Sequence, residues 1–247
     1  TMVPSTVLFV VLAVLFSAFI RGLAGFGFAI AAVPIVSLVM PPIEAVALAV
    51  LMQVVVGLHD IIALRDAVHK PSLMRLTLGA LIGTPVGIYA LTVLNPDTAR
   101  ILISAAVLLG LLILLRYKPA KPHPGGGLAT VTGLASGVFS GLAAMPGPPA
   151  VAYYLGVGMP AKETRASLLL FFFFAALIAT PGLALAGAID RHMLWLVVIS
   201  TPALALGTWL GTRAFARLDS AQYRKIAIAV MALSAVLAGW RGLNGSL

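Results

Sequence analysis

Ten apolar stretches fill this chain almost from end to end: 3–20, 22–40, 45–64, 72–94, 101–115, 128–144, 146–160, 164–188, 193–216 and 226–240. Breaks between most of them are a few residues long, which leaves no room for a sizeable soluble domain. In a bilayer each backbone N–H and C=O must find its partner inside the protein, so only helices and closed barrels can span it. The short, strictly alternating segments of a barrel are absent. With 61% hydrophobic and 9% charged residues among 247, the composition is that of an all-α polytopic membrane protein. The chain has no cysteine, which excludes disulfides, thiol catalysis and thiolate metal sites. The first stretch lacks a basic leader and a convincing cleavage site and reads as a retained segment.

The chain also repeats itself. Ser17 to Leu23 (SAFIRGL) is echoed by Ser136 to Leu142 (SGVFSGL), and Gly83 to Gly87 (GTPVG) by Gly207 to Gly211 (GTWLG). We therefore expect one membrane repeat over 1–116, a cytoplasmic linker over 117–127 and a second membrane repeat over 128–247. The linker is rich in proline, glycine and lysine, which stop a helix and favour water. Two related halves in an apolar chain are a recurrent plan for transporters, with the substrate where the halves meet.

Charge orients the repeats. If the chain changes side after each stretch, 13 of its 16 Lys and Arg residues share one side, including Arg21, Arg65, Lys162, Arg165, Arg213 and Arg217. The positive-inside rule makes that side the cytoplasm and puts both termini in the periplasm. It also explains a net charge of +9 without nucleic acid as a partner. An odd number of crossings per half follows, so the expected fold is two inverted-topology repeats of about five membrane segments each. The first pair of stretches in each half is short or split, and reads as broken or re-entrant helices.

Two kinds of glycine pattern stand out. Gly79, Gly83 and Gly87, and likewise Gly133, Gly137 and Gly141, recur every four residues and form flat faces for close helix packing. Around Arg21, Gly22, Gly25, Phe26 and Gly27 the glycines instead sit at a break, matched in the second half by Ser140, Gly141, Met145 and Gly147. A helix starting after such a break would turn its free N–H groups and partial positive charge toward a cavity, which suits an anion; an ordinary tight turn is the other reading. Arg21 reads either as an oxyanion ligand or as a topology anchor. Gln53 lies mid-segment, as part of a substrate path or as an interhelical hydrogen bond. His59 and Asp60 read as proton-coupling groups or as solvated residues near a segment end. Glu44 and Glu163 each follow a proline corner and suit a helix N-terminus, with coupling as the lesser reading. The run Phe171 to Phe174 reads as packing and lipid contact.

The ordered set of twin glycine-rich breaks (GLAGFG and GLAAMPGPP), the Met40-Pro41-Pro42 and Gly158-Met159-Pro160 corners and the GTxxG helices resembles the TauE/SafE family of bacterial transporters. That resemblance implies an inner-membrane exporter of sulfite or organosulfonates. The histidines are scattered and there is no phosphate-binding loop, so no enzyme, cofactor or metal is expected. The expected partners are a small anionic substrate (sulfite or a short organosulfonate), a coupling proton or sodium ion, and the lipid bilayer. The alternative is a non-transporting membrane scaffold or assembly subunit.

Overall fold

The computed structural model describes residues 4–95 and 126–219, with scattered positions at 98, 101, 105 and 112 and between 221 and 236. The expected stretches 101–115 and 226–240 and most of the linker lie largely outside them. Among the described residues there are eight main helices and no strand. They are α1 (Pro4–Ala24), α2 (Phe28–Val36), α3 (Pro42–Leu64), α4 (Lys70–Val93), α5 (Gly127–Ala143), α6 (Gly147–Gly156), α7 (Ala161–Leu185) and α8 (Arg191–Phe215). Five of these, α1, α3, α4, α7 and α8, are long and apolar enough to cross a membrane. At 1.5 Å per residue, the nine residues of α2 and ten of α6 reach only about 13–15 Å, about half of a hydrocarbon core.

The helices are interrupted where backbone geometry forces it. The first break lies at Gly25 (φ +80°) and Gly27 (φ +94°), in a left-handed region that side-chain-bearing residues avoid. Arg21 is not part of this break, as its place between two apolar stretches suggested: it stays in the last turn of α1. The second break uses an alanine for the same job. Ala144 takes φ 56°, its N–H donates to Ser140 O at 2.8 Å and the Met145 N–H donates to Phe139 O at 3.2 Å. The Ala144 bond is the closure of an αL C-cap, and the Met145 bond adds a second link back to the last turns of the helix. Proline corners start α3 and α7: Pro41 and Pro160 precede them, and Glu44 and Glu163 lie in their first turns.

Glycine seams tie the bundle together. A Cβ on Gly79, Gly83 or Gly87 would run into the carbonyl oxygen of Thr130, Leu134 or Val138 on α5, and one on Gly133, Gly137 or Gly141 into the backbone of α4. A matching seam joins Gly22 of α1 to Gly207 and Gly211 of α8, which oppose α1 from Leu15 to Leu23. Residue numbers rise together along both seams, so α4 runs parallel to α5 and α1 parallel to α8. The seams account for the most extensive helix pairings, and α3 packs against α7 between them. Gly57 of α3 is the notch for Phe173 of α7. Phe171, Phe172 and Phe173 are all buried.

The helix ends show the direction of travel. Arg21 in the last turn of α1 pairs with Asp60 near the end of α3, while Arg165 near the start of α7 bonds Gly22 O. The N–H of His69, just before α4, donates to Ser167 near the start of α7. These ends therefore lie together, with exposed Arg65, Lys70, Lys162, Arg213 and Arg217 around them. We call this the basic end; Arg191 starts α8 at the opposite one.

Two substitutions test this account by thermal unfolding of the purified protein in detergent. Gly83→Leu is expected to lower the transition midpoint by several degrees or prevent assembly, because α4 and α5 must separate. Ala144→Gly is expected to raise stability by up to about 1 kcal/mol, since it removes the cost of a left-handed alanine.

Candidate functional site

A helix that stops inside a packed bundle leaves carbonyls without intrahelical partners. Here side chains from distant elements supply them. Arg165 donates through Nε (3.1 Å) and Nη2 (2.6 Å) to Gly22 O. The Tyr223 hydroxyl donates to Ala24 O at 2.8 Å, and Gln53 Nε2 lies 3.4 Å from Ala144 O. Gln53 thus reaches the second break, while also lying 3.3 Å from Ala49 O one turn back on its own helix.

The two breaks approach each other around Gly147, whose added Cβ would lie 3.7 Å from Ile30 Cδ1 and Phe172 Cζ and 4.0 Å from Phe26 Cδ2. Phe26 and Met145 are buried here with them, so the meeting point is apolar and closely packed. Neither α2 nor α6 has a side-chain cap at its N-terminus. The two ends are unequal as donors. Pro148 and Pro149 remove two N–H groups from the first turn of α6, whereas Phe28, Ala29 and Ile30 keep all of theirs on α2. Gly22 and Gly141 belong to the helix seams, and Ser140 is buried with its carbonyl closing the second break.

Charge is concentrated beside the first break. Arg21 is 2% exposed and its Nη2 donates to the Asp60 carboxylate, itself buried. Its Nε and Nη1 are buried without a hydrogen-bond partner. Arg165, 7% exposed, adds a second guanidinium in the same electrostatic neighbourhood. It bonds Thr212 Oγ1 at 3.0 Å and lies 4.5 Å from the centre of the Phe215 ring. Two buried cations thus face one buried carboxylate. Low-dielectric surroundings strengthen their attraction for any further anion.

The other sequence candidates part company. Asp60 is buried, but its neighbour His59 has a side chain 79% exposed. Glu44 and Glu163 are half-buried at helix starts: Glu163 at the basic end, two residues before Arg165, and Glu44 at the opposite one. Arg165, Thr212 and Tyr223 were not legible as site residues, because Arg165 sorts with the loop cations. A signal existed nonetheless. Aligning Glu44 with Glu163 pairs Arg165 with Val46, which is buried, so the second half carries a cation at a core position.

A cavity of about 590 Å³ opens at the basic end, lined by Leu64, Lys162, Arg165, Thr212, Phe215 and Asp219 among others. Its size suits a small ligand.

A bundle of long apolar helices with broken short ones and buried guanidinium groups defines a multi-pass membrane protein. The family model for sulfite exporter TauE/SafE matches residues 10–238, and the chain belongs to this family. The family is one of transmembrane transporters rather than of enzymes. A Cupriavidus necator protein named "Probable sulfite/organosulfonate exporter TauE" is 28% identical over 158 residues, which is 62% of this chain and 62% of that protein. No solved structure matches the chain.

The buried pair can be tested directly. Asp60→Ala is expected to cost about 3–5 kcal/mol of stability by stranding Arg21. The double variant Arg21→Met with Asp60→Leu is expected to regain most of it. Equal losses in the single and double variants, by thermal unfolding in detergent, would mean that the two residues do not act as a pair.

Proposed function

We propose that this protein is a secondary transporter that exports a small anion, sulfite or a short organosulfonate, across the bacterial inner membrane by alternating access. The observation that carries the reading is Arg21: a buried guanidinium beside a broken helix, with two nitrogens unpartnered. Such a group calls for an acceptor, and an oxyanion can bridge several of its donors. The likeness to the C. necator exporter supports the choice of substrate class.

In this reading the halves are inverted repeats. α1 and α3 run toward the basic end and α4 away from it, whereas α5 and α7 run away and α8 toward it. The basic end faces the cytoplasm by the positive-inside rule, with both termini in the periplasm. The substrate meets the first break, where Arg21 and the donor-rich start of α2 lie, and the α2 and α6 segments shift to pass it across. Gln53, Gly25, Phe26 and Gly27 line the path from the first half, and Ser140, Met145 and Gly147 from the second. A negative-inside potential favours exit by about 2.3 kcal/mol per net charge per 100 mV. Of the coupling candidates, Asp60 is the one we retain. It competes with the substrate for Arg21. His59, Glu44 and Glu163 have no such competitor role.

The dry packing of Phe26, Ile30, Met145 and Phe172 between the breaks favours the second reading, a non-transporting scaffold. Flux separates them. In proteoliposomes, wild-type protein is expected to carry sulfite down an imposed gradient, and Arg21→Gln to carry it at least tenfold more slowly while remaining monodisperse. Absence of anion flux under every imposed ion and voltage gradient would leave the scaffold.

A further inference from the structure

We propose that the cavity at the basic end is an oxyanion-binding vestibule with Arg165 as its principal ligand, distinct from the Arg21 site and placed before it. The inference rests on the transporter reading only for what happens after binding.

Arg165 is a buried cation whose hydrogen-bond acceptors are all neutral: one backbone carbonyl, Gly22 O, and one hydroxyl, Thr212 Oγ1. Among the described residues no carboxylate lies within ion-pair distance of it. Asp60 and Asp219 each have another partner. Asp60 is bound to Arg21. Asp219, on the cavity wall, accepts from the Gln222 N–H at 2.7 Å, and its own N–H donates to Gln222 Oε1 at 3.0 Å. A guanidinium held by neutral acceptors makes stronger, charge-assisted bonds when an anionic oxygen replaces them.

The lining carries two cations, Arg165 and Lys162, against one carboxylate, Asp219. Lys162 stands exposed on the same wall and adds attraction to anions arriving from water. The α7 N-terminus, which carries both residues, has no side-chain cap and adds the favourable end of its dipole, partly offset by Glu163 in the same turn. The planar fork of Arg165 selects ligands with two oxygens on one atom, such as a sulfonate, sulfite or sulfate, over a spherical halide.

The site also sits where binding has a consequence. Arg165 packs against Gly25: a Cβ there would lie 2.6 Å from Arg165 Cγ and 3.2 Å from its Cα. Its side chain links α1, α7 and α8 over the first break. An oxyanion that takes the guanidinium from Gly22 O and Thr212 loosens this link and uncovers the way to Arg21. Charge attraction therefore selects the cargo before the break opens.

The cysteine-free chain allows a direct test. Ala216 lines the cavity and is exposed, so Ala216→Cys in the full-length protein provides one labelling site for N-ethylmaleimide. Methanesulfonate and sulfate are expected to slow labelling at least threefold, and chloride at equal ionic strength to leave it unchanged. Adding Arg165→Gln is expected to abolish this protection, and Arg165→Lys to keep part of it. A monodisperse elution profile reports that each variant is folded. Equal protection by chloride, protection that survives Arg165→Gln, or no protection by either oxyanion would overturn the proposal. Flux without protection would overturn the vestibule alone; protection without flux would overturn the transporter reading and leave the vestibule standing.

Discussion

Carbonyl groups stranded at broken helices set the terms for the rest of this structure. They are buried, and a buried polar group left unsatisfied costs several kcal/mol. Gly22 O, Ala24 O and Ala144 O are served by Arg165, Tyr223 and Gln53, each from another helix or from beyond α8. The breaks therefore hold their shape only when distant parts of the chain are assembled around them. Where the donor is a guanidinium, satisfying the backbone also brings a positive charge to the break.

The seams make that assembly possible. α1 meets α8 and α4 meets α5 through glycines at which a methyl group would strike a carbonyl oxygen or another backbone atom. Without a hydrophobic force between helices in lipid, such close approach, with its dispersion and weak C–H···O contacts, is what holds a bundle together. The α1–α8 seam also places charge. It brings Thr212 and Phe215 to the end of α1, where they position Arg165 over Gly25. Packing and charge placement are here two results of one contact.

Asymmetry between similar halves is the second theme. The two breaks match in place and in left-handed geometry, yet they differ chemically. The first has glycines, a donor-bearing short helix and two arginines nearby. The second has a strained alanine, two prolines that remove donors and a buried amide from Gln53. Arg21 faces a serine counterpart, Ser140, and Arg165 a valine, Val46. Positive charge and free backbone donors are thus concentrated at the first break.

Much of this was legible in the sequence because it follows from local rules. Apolar length and composition determined a multi-pass helical membrane protein, small residues at four-residue spacing marked the seams, and glycine and proline located the breaks to within a few residues. Burial of charge was not legible. Arg21 and Arg165 look the same as loop cations until their surroundings are known, and adjacent His59 and Asp60 differ only because one faces out from α3 and the other inward to Arg21. Whether an ionisable group is paired, stranded or solvated depends on what other helices bring within a few ångströms. The sequence by itself determined the membrane class and the places where helices stop. Only the tertiary structure decided which charges gather at the first break, because electrostatic energy is set by distance and dielectric across helices rather than by order along the chain.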